Sequence, residues 1–271
     1  VSRFSIPCSL FSLHPADVGP LPKVLYIIVL QAMLKVVVLL VLECIASSEI
    51  ADFVEKNAPK GDINAALDRF IDFSEQNHLG MHLGRQKGQT IVDSVMKGKP
   101  KTGPVLVLEL GCHAGDGTLS IFKAIGDRPG STIISTESNK EWLADAKRIV
   151  AHATHGLDIR WIPLLLPEKT DFSEFLKKTK DEYGLGSFDS MVFDHEEQLF
   201  LPYLKTILEK DMLRAGGTVQ IDNVKRKARA LAKYMDFVKP GRNGFNTEVI
   251  QVDEPYPDAV AISQFLGPSE L

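Results

Sequence analysis

From residue 105 onward, short apolar runs alternate with segments whose apolar residues recur every three or four positions. Val105–Leu110, Ser131–Glu137, Asp158–Leu164, Ser187–Phe193 and Thr218–Ile221 have the branched, continuous character of strands buried on both faces of a sheet. Between them, helices are predicted from about Thr118, over Asn139–His152, Asp171–Tyr183 and Leu201–Leu213, with Ala215–Gly217 as a turn. Upstream, Ser47–Glu55 opens with helix-capping residues, and Asp62–Phe73 puts Ile63, Leu67, Phe70 and Ile71 on one face. Met81–Gln89 reads as a polar loop punctuated by glycine, followed by a helix over Thr90–Met96. Strands alternating with helices imply an α/β, doubly wound parallel sheet, which binds ligands outside the carboxyl ends of its strands.

The amino-terminal part breaks this rhythm. Residues 1–22 are irregular and carry Pro7, Pro15, Pro20 and Pro22, and a chain opening on Val1 reads as a fragment or an imperfect gene model. Val24–Ala46 is almost unbroken apolar sequence, about long enough to cross a bilayer. Lys35 near its middle costs about 2.5–3.5 kcal/mol on insertion scales, which the surrounding Leu, Val and Ile can outweigh. Residues 1–46 are therefore set apart as an irregular segment plus a candidate membrane anchor, the alternatives being an apolar helix packed on the domain or a mispredicted exon. Residues 47–271 form the folded domain.

Composition adds exclusions. A chain of 271 residues with net charge −4 has no basic field for nucleic acid. Cys8, Cys44 and Cys112 are scattered without CxxC spacing, which suits a reducing compartment and a cytoplasmic domain.

The chemistry concentrates after the first strand. Gly111, Gly115 and Gly117 are spaced G-x-x-x-G-x-G, unlike a dinucleotide fingerprint, and Glu109 stands two residues ahead of the first. A pyrophosphate would avoid that carboxylate, whereas the sulfonium and ammonium of S-adenosylmethionine would favour it. Glu137, ending the second strand, is placed to accept both ribose hydroxyls. On the same rim, Asp194 follows the fourth strand, and Asp222 and Asn223 follow the fifth. Three oxygen donors there suit octahedral Mg²⁺, against the plainer reading in which both acids cap the next helices.

Several motifs in order resemble the magnesium-dependent catechol O-methyltransferases. They are Gly61-Asp62, Met81-His-Leu-Gly with Lys87-Gly-Gln89, Leu106-Val-Leu-Glu-Leu-Gly111, Thr136-Glu137, Met191-Val-Phe with Asp194-His195, Leu201-Pro202, Gly217-Thr-Val with Asp222-Asn-Val224, and Gly267-Pro268. The resemblance implies the seven-stranded Rossmann-like sheet of class I methyltransferases, with helices before it, acting as a monomer on a small catechol-like acceptor. It also implies roles. Asp194, Asp222 and Asn223 would hold Mg²⁺; Glu137 the ribose; Glu109 and Gly111 the methionine end. Leu83 and His113 would surround the cofactor and His195 would lie beside its adenine, with Gly115, Gly117, Ser138 and Asp194 also among the cofactor-binding residues.

The chain departs from that pattern in places. The family's basic lysine, three residues after the first metal aspartate, is here Glu197, which becomes the candidate base. The fourth and fifth strands are each one residue short before their acid. Lys225-Arg-Lys-Ala-Arg229 replaces the family's gate proline, and Asp253 or Glu254 is the nearest match to its last acceptor-side acid. These departures motivate a second reading, a member that binds S-adenosylmethionine in a partner-binding or regulatory role without catechol chemistry. A nucleotide-dependent oxidoreductase is disfavoured by the glycine spacing.

Overall fold

The computed structural model describes residues 49–167 and 170–268. The expected irregular segment and candidate anchor over 1–46 lie outside the described residues. Among the described residues, no helix is long and apolar enough to cross a membrane.

Three helices precede the sheet: α1 over 49–57, α2 over Ile63–Gln76 and α3 over Gly84–Gly98. Then β1 (Leu106–Leu110), α4 (Asp116–Ile125), β2 (Ser131–Glu137), α5 (Lys140–Ala153), β3 (Ile159–Leu165), α6 (Phe172–Tyr183), β4 (Phe188–Phe193), α7 (Phe200–Glu209) and β5 (Leu213–Ile221) alternate. The chain closes with α8 (Ala228–Phe237), β6 (Phe245–Val252) and β7 (Asp258–Phe265). Local chemistry starts the helices as the sequence implies. Asp62 accepts from the Ala65 N–H, Asn139 from Glu141 and Trp142, and Asp171 from Ser173 and Glu174.

The seven strands run in the order β3-β2-β1-β4-β5-β7-β6. The first five are parallel, as the alternation of strands and helices implies, and β7 lies antiparallel between β5 and β6, which completes the expected seven-stranded, doubly wound sheet. Strand order reverses between β1 and β4, the place where doubly wound sheets open a ligand crevice. Alternation along each strand feeds two apolar layers. Val107, Ile133 and Val192 join α1 to α5 on one side, while Leu108, Leu110, Ile134, Met191, Phe193, Val219 and Ile221 join α6, α7 and α8 on the other. Glu109 alternates onto the α3 and α4 side, so its carboxylate is committed to the interior before any ligand is considered.

Two expected boundaries move. Helix α3 begins at Gly84, so most of the expected loop Met81–Gln89 is its first turns. The reason is Lys87: together with Ile91 and Val95 it lies on the buried face at helical spacing, and its charge hides the periodicity. Likewise Ala215–Gly217 falls inside β5 and α7 ends at Glu209. The register passes from Phe188 opposite Leu213 to Ser190 opposite Thr218, so the glycines form a bulge in a longer strand.

Helix α3 crosses the sheet through Gly98, where a Cβ would come within 2.5 Å of both the Asp189 carbonyl and Thr218 Oγ1. Gly98→Ala should therefore cost about 1–3 kcal/mol of stability, read as a lower denaturant midpoint with an unchanged slope.

Candidate functional site

The loop after β1 is held by its own side chains. Glu109, almost fully buried, accepts from Thr118 Oγ1 and Ser135 Oγ, and burial pushes its carboxyl up to about 7. Asp116 opens α4, accepting the Leu83 N–H at 2.8 Å and the Gly117 N–H at 3.1 Å, so it ties the 81–84 segment to the glycine loop. Burial pushes the Asp116 carboxyl up to about 6.

Beside their expected role as points of ligand approach, the glycines are required by the chain itself. A Cβ on Gly111 would lie 2.1 Å from the Asp194 carbonyl, one on Gly115 3.2 Å from Val150, and one on Gly117 2.5 Å from Glu109 Oε1. Gly111 and Gly115 also adopt φ of +88° and +102°.

At the end of β2, Glu137 accepts the His113 N–H at 2.8 Å through one oxygen, and the N–H groups of Ser138 and Asn139 at 2.8 and 2.9 Å through the other. This fixes the carboxylate beside the glycine loop. The His113 ring lies 4.0 Å from Trp142, and burial lowers its pKa to about 4. His195 stacks on Tyr203 at 5.2 Å beside Phe193 and Phe200, and burial lowers its pKa to about 4 as well. Both rings are buried with neither nitrogen hydrogen-bonded, and His82 Nδ1 is in the same condition. Neutral imidazoles with unused donors and acceptors, set around a glycine loop and the anchored Glu137, fit a polar heteroaromatic ligand.

The two shortened strands end in step. Phe193 pairs with Ile221, so the following residues, Asp194 and Asp222, are side by side despite the missing residue in each strand. Their proximity is electrostatic as well as topological. Burial and the Asp222 carboxylate push Asp194 well above the ordinary carboxylate range, and burial also raises Asp222 against the pull of Lys87. Asn223 follows in the left-handed region at φ +62°. Lys87 Nζ lies 2.8 Å from Asp222 Oδ2 and 3.2 Å from Asp258 Oδ2, and Asp222 Oδ1 is buried with no hydrogen-bond partner. An orphaned carboxylate oxygen next to the half-buried Asp194 carboxylate, with an amide-bearing residue following Asp222 in the chain, offers hard oxygen donors that fit Mg²⁺. Among the described residues, no group of three His, Cys, Asp or Glu side chains forms a metal centre, so the amide of Asn223 and water or acceptor oxygens would complete the ligands.

Glu197 begins the short 3₁₀ turn Glu197–Leu199 and pairs with Lys227 Nζ at 3.0 Å. Part of the basic run 225–229 is thus brought to the Asp194 turn. Asp253 is exposed, its N–H bonded to Gln86 Oε1 at 2.7 Å, and no hydrogen bond to the cluster is seen for Glu254. The acid that the fold brings to the cluster is instead Asp258, at the start of β7. Its Oδ1 accepts from the N–H groups of Lys225, Arg226 and Ala259. Lys87, Asp116, Tyr256, Asp258 and Lys227 carried no assigned role in the sequence. Lys87 had a legible signal, a lysine in register with Ile91 and Val95, whereas Asp258 stands at the head of an ordinary apolar run.

No family model matches the chain. A probable O-methyltransferase of Mycobacterium tuberculosis is 28% identical over 221 residues, covering 80% of this chain and 90% of that protein. A catechol O-methyltransferase of Sus scrofa is 31% identical over 144 residues, covering 53% of this chain and 71% of that protein. In fold, the chain is similar to a solved O-methyltransferase of Bacillus cereus in complex with SAH, with TM-score 0.58 and 15% identity over 73% of this chain and 90% of that one.

Burial of Glu109 has a measurable consequence. With its pKa pushed from 4.5 to about 7, the folded chain keeps a proton that the unfolded chain releases, so this group's contribution is fully present below 4.5 and is lost as pH rises through about 7. Glu109→Gln should remove a penalty on the order of 2–3 kcal/mol at about pH 8 and leave stability unchanged at about pH 4. Thermal melts of both proteins across that range, without cofactor, check it. Some slope should survive in the variant, because Asp116 is also raised.

Proposed function

The chain belongs to the catechol O-methyltransferase family and is an S-adenosylmethionine-dependent O-methyltransferase; within that class we propose that it methylates one hydroxyl of a catechol-type small molecule held on Mg²⁺. The observation that carries the finer reading is the Asp194–Asp222 pair, brought together by the Phe193–Ile221 register, with Asp222 Oδ1 buried and unpartnered. Asp194, Asp222 and Asn223 would hold the cation. When bound, Mg²⁺ would supply the charge that makes a chelated hydroxyl acidic and fixes its orientation.

The remaining work falls to this chain's own groups. Glu137, locked by three backbone N–H donors, presents its carboxylate to the ribose hydroxyls with little freedom left to lose. Ser138 and Leu83 flank that cradle, with His113 and His195 as neutral polar walls. Glu109 and Asp116, whose carboxyls burial raises to about 7 and about 6, would ionise against the sulfonium and ammonium of the methionine end and neutralise them there. Gly111 keeps the β1 and β4 ends in contact, so the cofactor side and the cation side share one floor. S-adenosylmethionine, when bound, would supply a methyl group on a sulfonium, a leaving group that departs as a neutral thioether when an acceptor oxygen takes the methyl. Glu197 is the group proposed to receive the hydroxyl proton, with Lys227 balancing the carboxylate charge before transfer.

The pairing of Glu197 with Lys227 also favours a second reading, in which the chain binds S-adenosylmethionine without turning over catechols. Transfer of labelled methyl from S-adenosylmethionine to a dihydroxybenzoate, with and without Mg²⁺, separates the two. We expect Mg²⁺-dependent transfer, reduced about 10²-fold or more in Asp222→Asn. Glu197→Gln should lower kcat about 10²-fold with little change in KM. An unchanged kcat would remove Glu197 from the reaction, and cofactor binding without any transfer would favour the second reading.

A further inference from the structure

The geometry points to Lys87 as a positioning residue that makes the cation site selective for Mg²⁺ over Ca²⁺, by keeping Asp222 from offering more than one oxygen. This inference rests on the proposed role of Asp194, Asp222 and Asn223 as cation ligands.

The Lys87 side chain is 1% exposed, a burial that long charged side chains accept only when fully engaged. Its ammonium is surrounded: Asp222 Oδ2 at 2.8 Å, Asp258 Oδ2 at 3.2 Å, and the Tyr256 ring 4.5 Å below. None of these partners is free to move away. Asp258 Oδ1 is held by the N–H groups of Ala259 at 2.8 Å, Arg226 at 3.1 Å and Lys225 at 3.2 Å, so Oδ2 is left to face the lysine. Burial tends to raise the Asp258 carboxyl, but those donors and Lys87 hold it below the ordinary range, so it stays ionised. Tyr256 is covered by the Arg226 guanidinium at 3.9 Å, and its neighbour Pro255 packs within 3.1 Å of where a Gly84 Cβ would stand. The ammonium therefore pins one Asp222 oxygen and leaves Oδ1, the orphaned one, to serve a ligand.

That division of labour discriminates between cations. Ca²⁺ accepts bidentate carboxylates within a flexible shell of six to eight oxygens at about 2.3–2.6 Å. Mg²⁺ requires a near-octahedral shell at about 2.0–2.1 Å and takes carboxylate oxygens singly. With Oδ2 engaged, Asp222 offers the single oxygen that Mg²⁺ uses and withholds the chelating pair that Ca²⁺ exploits. The ammonium also offsets one negative charge of a crowded cluster, which keeps affinity from being set by charge alone.

Calorimetric titration of Mg²⁺ alone and of Ca²⁺ alone into the full chain tests this, because the readout is a ratio of two affinities and not turnover. Lys87→Met should shift that ratio toward Ca²⁺ by about tenfold or more, while S-adenosylmethionine binding persists. Lys87→Arg, whose guanidinium still occupies Oδ2, should restore the Mg²⁺ preference. A Lys87→Met protein that binds both cations with the native ratio overturns the inference. A native chain that binds neither cation overturns the ligand assignment as well, which separates the two failures. If Lys87→Met does not fold, Asp258→Asn carries the test: Lys87 then keeps Asp222 as its carboxylate partner and the Mg²⁺ preference should hold, so a drift toward Ca²⁺ overturns the proposal.

Discussion

Carboxylates crowded into a low-dielectric rim are the constraint around which this structure is arranged. Glu109, Asp116, Asp222 and Asp258 are buried, Asp194 is half-buried beside them, and Lys87 is the ammonium set among them. Buried charges persist when they are paired, hydrogen-bonded or protonated, and each solution is visible. Glu109 and Asp116 are pushed toward the protonated form, Asp258 is satisfied by N–H donors and Lys87, and Asp194 and Asp222 remain in mutual conflict. A cationic ligand relieves such a rim, which is why a sulfonium cofactor and a divalent cation are coherent readings of one electrostatic problem.

The backbone geometry follows from the same crowding. Gly111 lets the end of β1 touch the end of β4, and Asp116 draws Leu83 down onto the glycine loop. Lys87, one helical turn after Gly84, then links that loop to β5 and β7. Helix α3 thus joins the glycine loop, through the segment at its first turn, to the acidic cluster, through its buried ammonium.

At the turn after β4 the chain carries a charge pair of its own. An acid stands at 197, and a lysine arrives from the run after β5 to pair with it. The pair restores local neutrality and holds the first turn after β4 against the segment that leads into α8.

Most of the architecture was legible in the sequence, because burial on both faces writes continuous branched runs such as Val105–Leu110 and Ser131–Glu137, and caps such as Asp62, Asn139 and Asp171 mark where helices begin. The G-x-x-x-G-x-G spacing with Glu109 ahead of it, and acids at the tips of successive strands, also follow from sequence, since parallel topology sends every such tip to one rim. Tertiary structure decided what those acids do. Whether Asp194 and Asp222 meet depends on the Phe193–Ile221 register, in which two apparent deletions cancel. Whether Asp222 has one free oxygen or two depends on Lys87, from α3, and on Asp258, from β7, which only folding brings together. Local pattern records which face of a strand or helix is buried, but the partner of a buried charge is set by long-range packing, and no spacing along the chain encodes it.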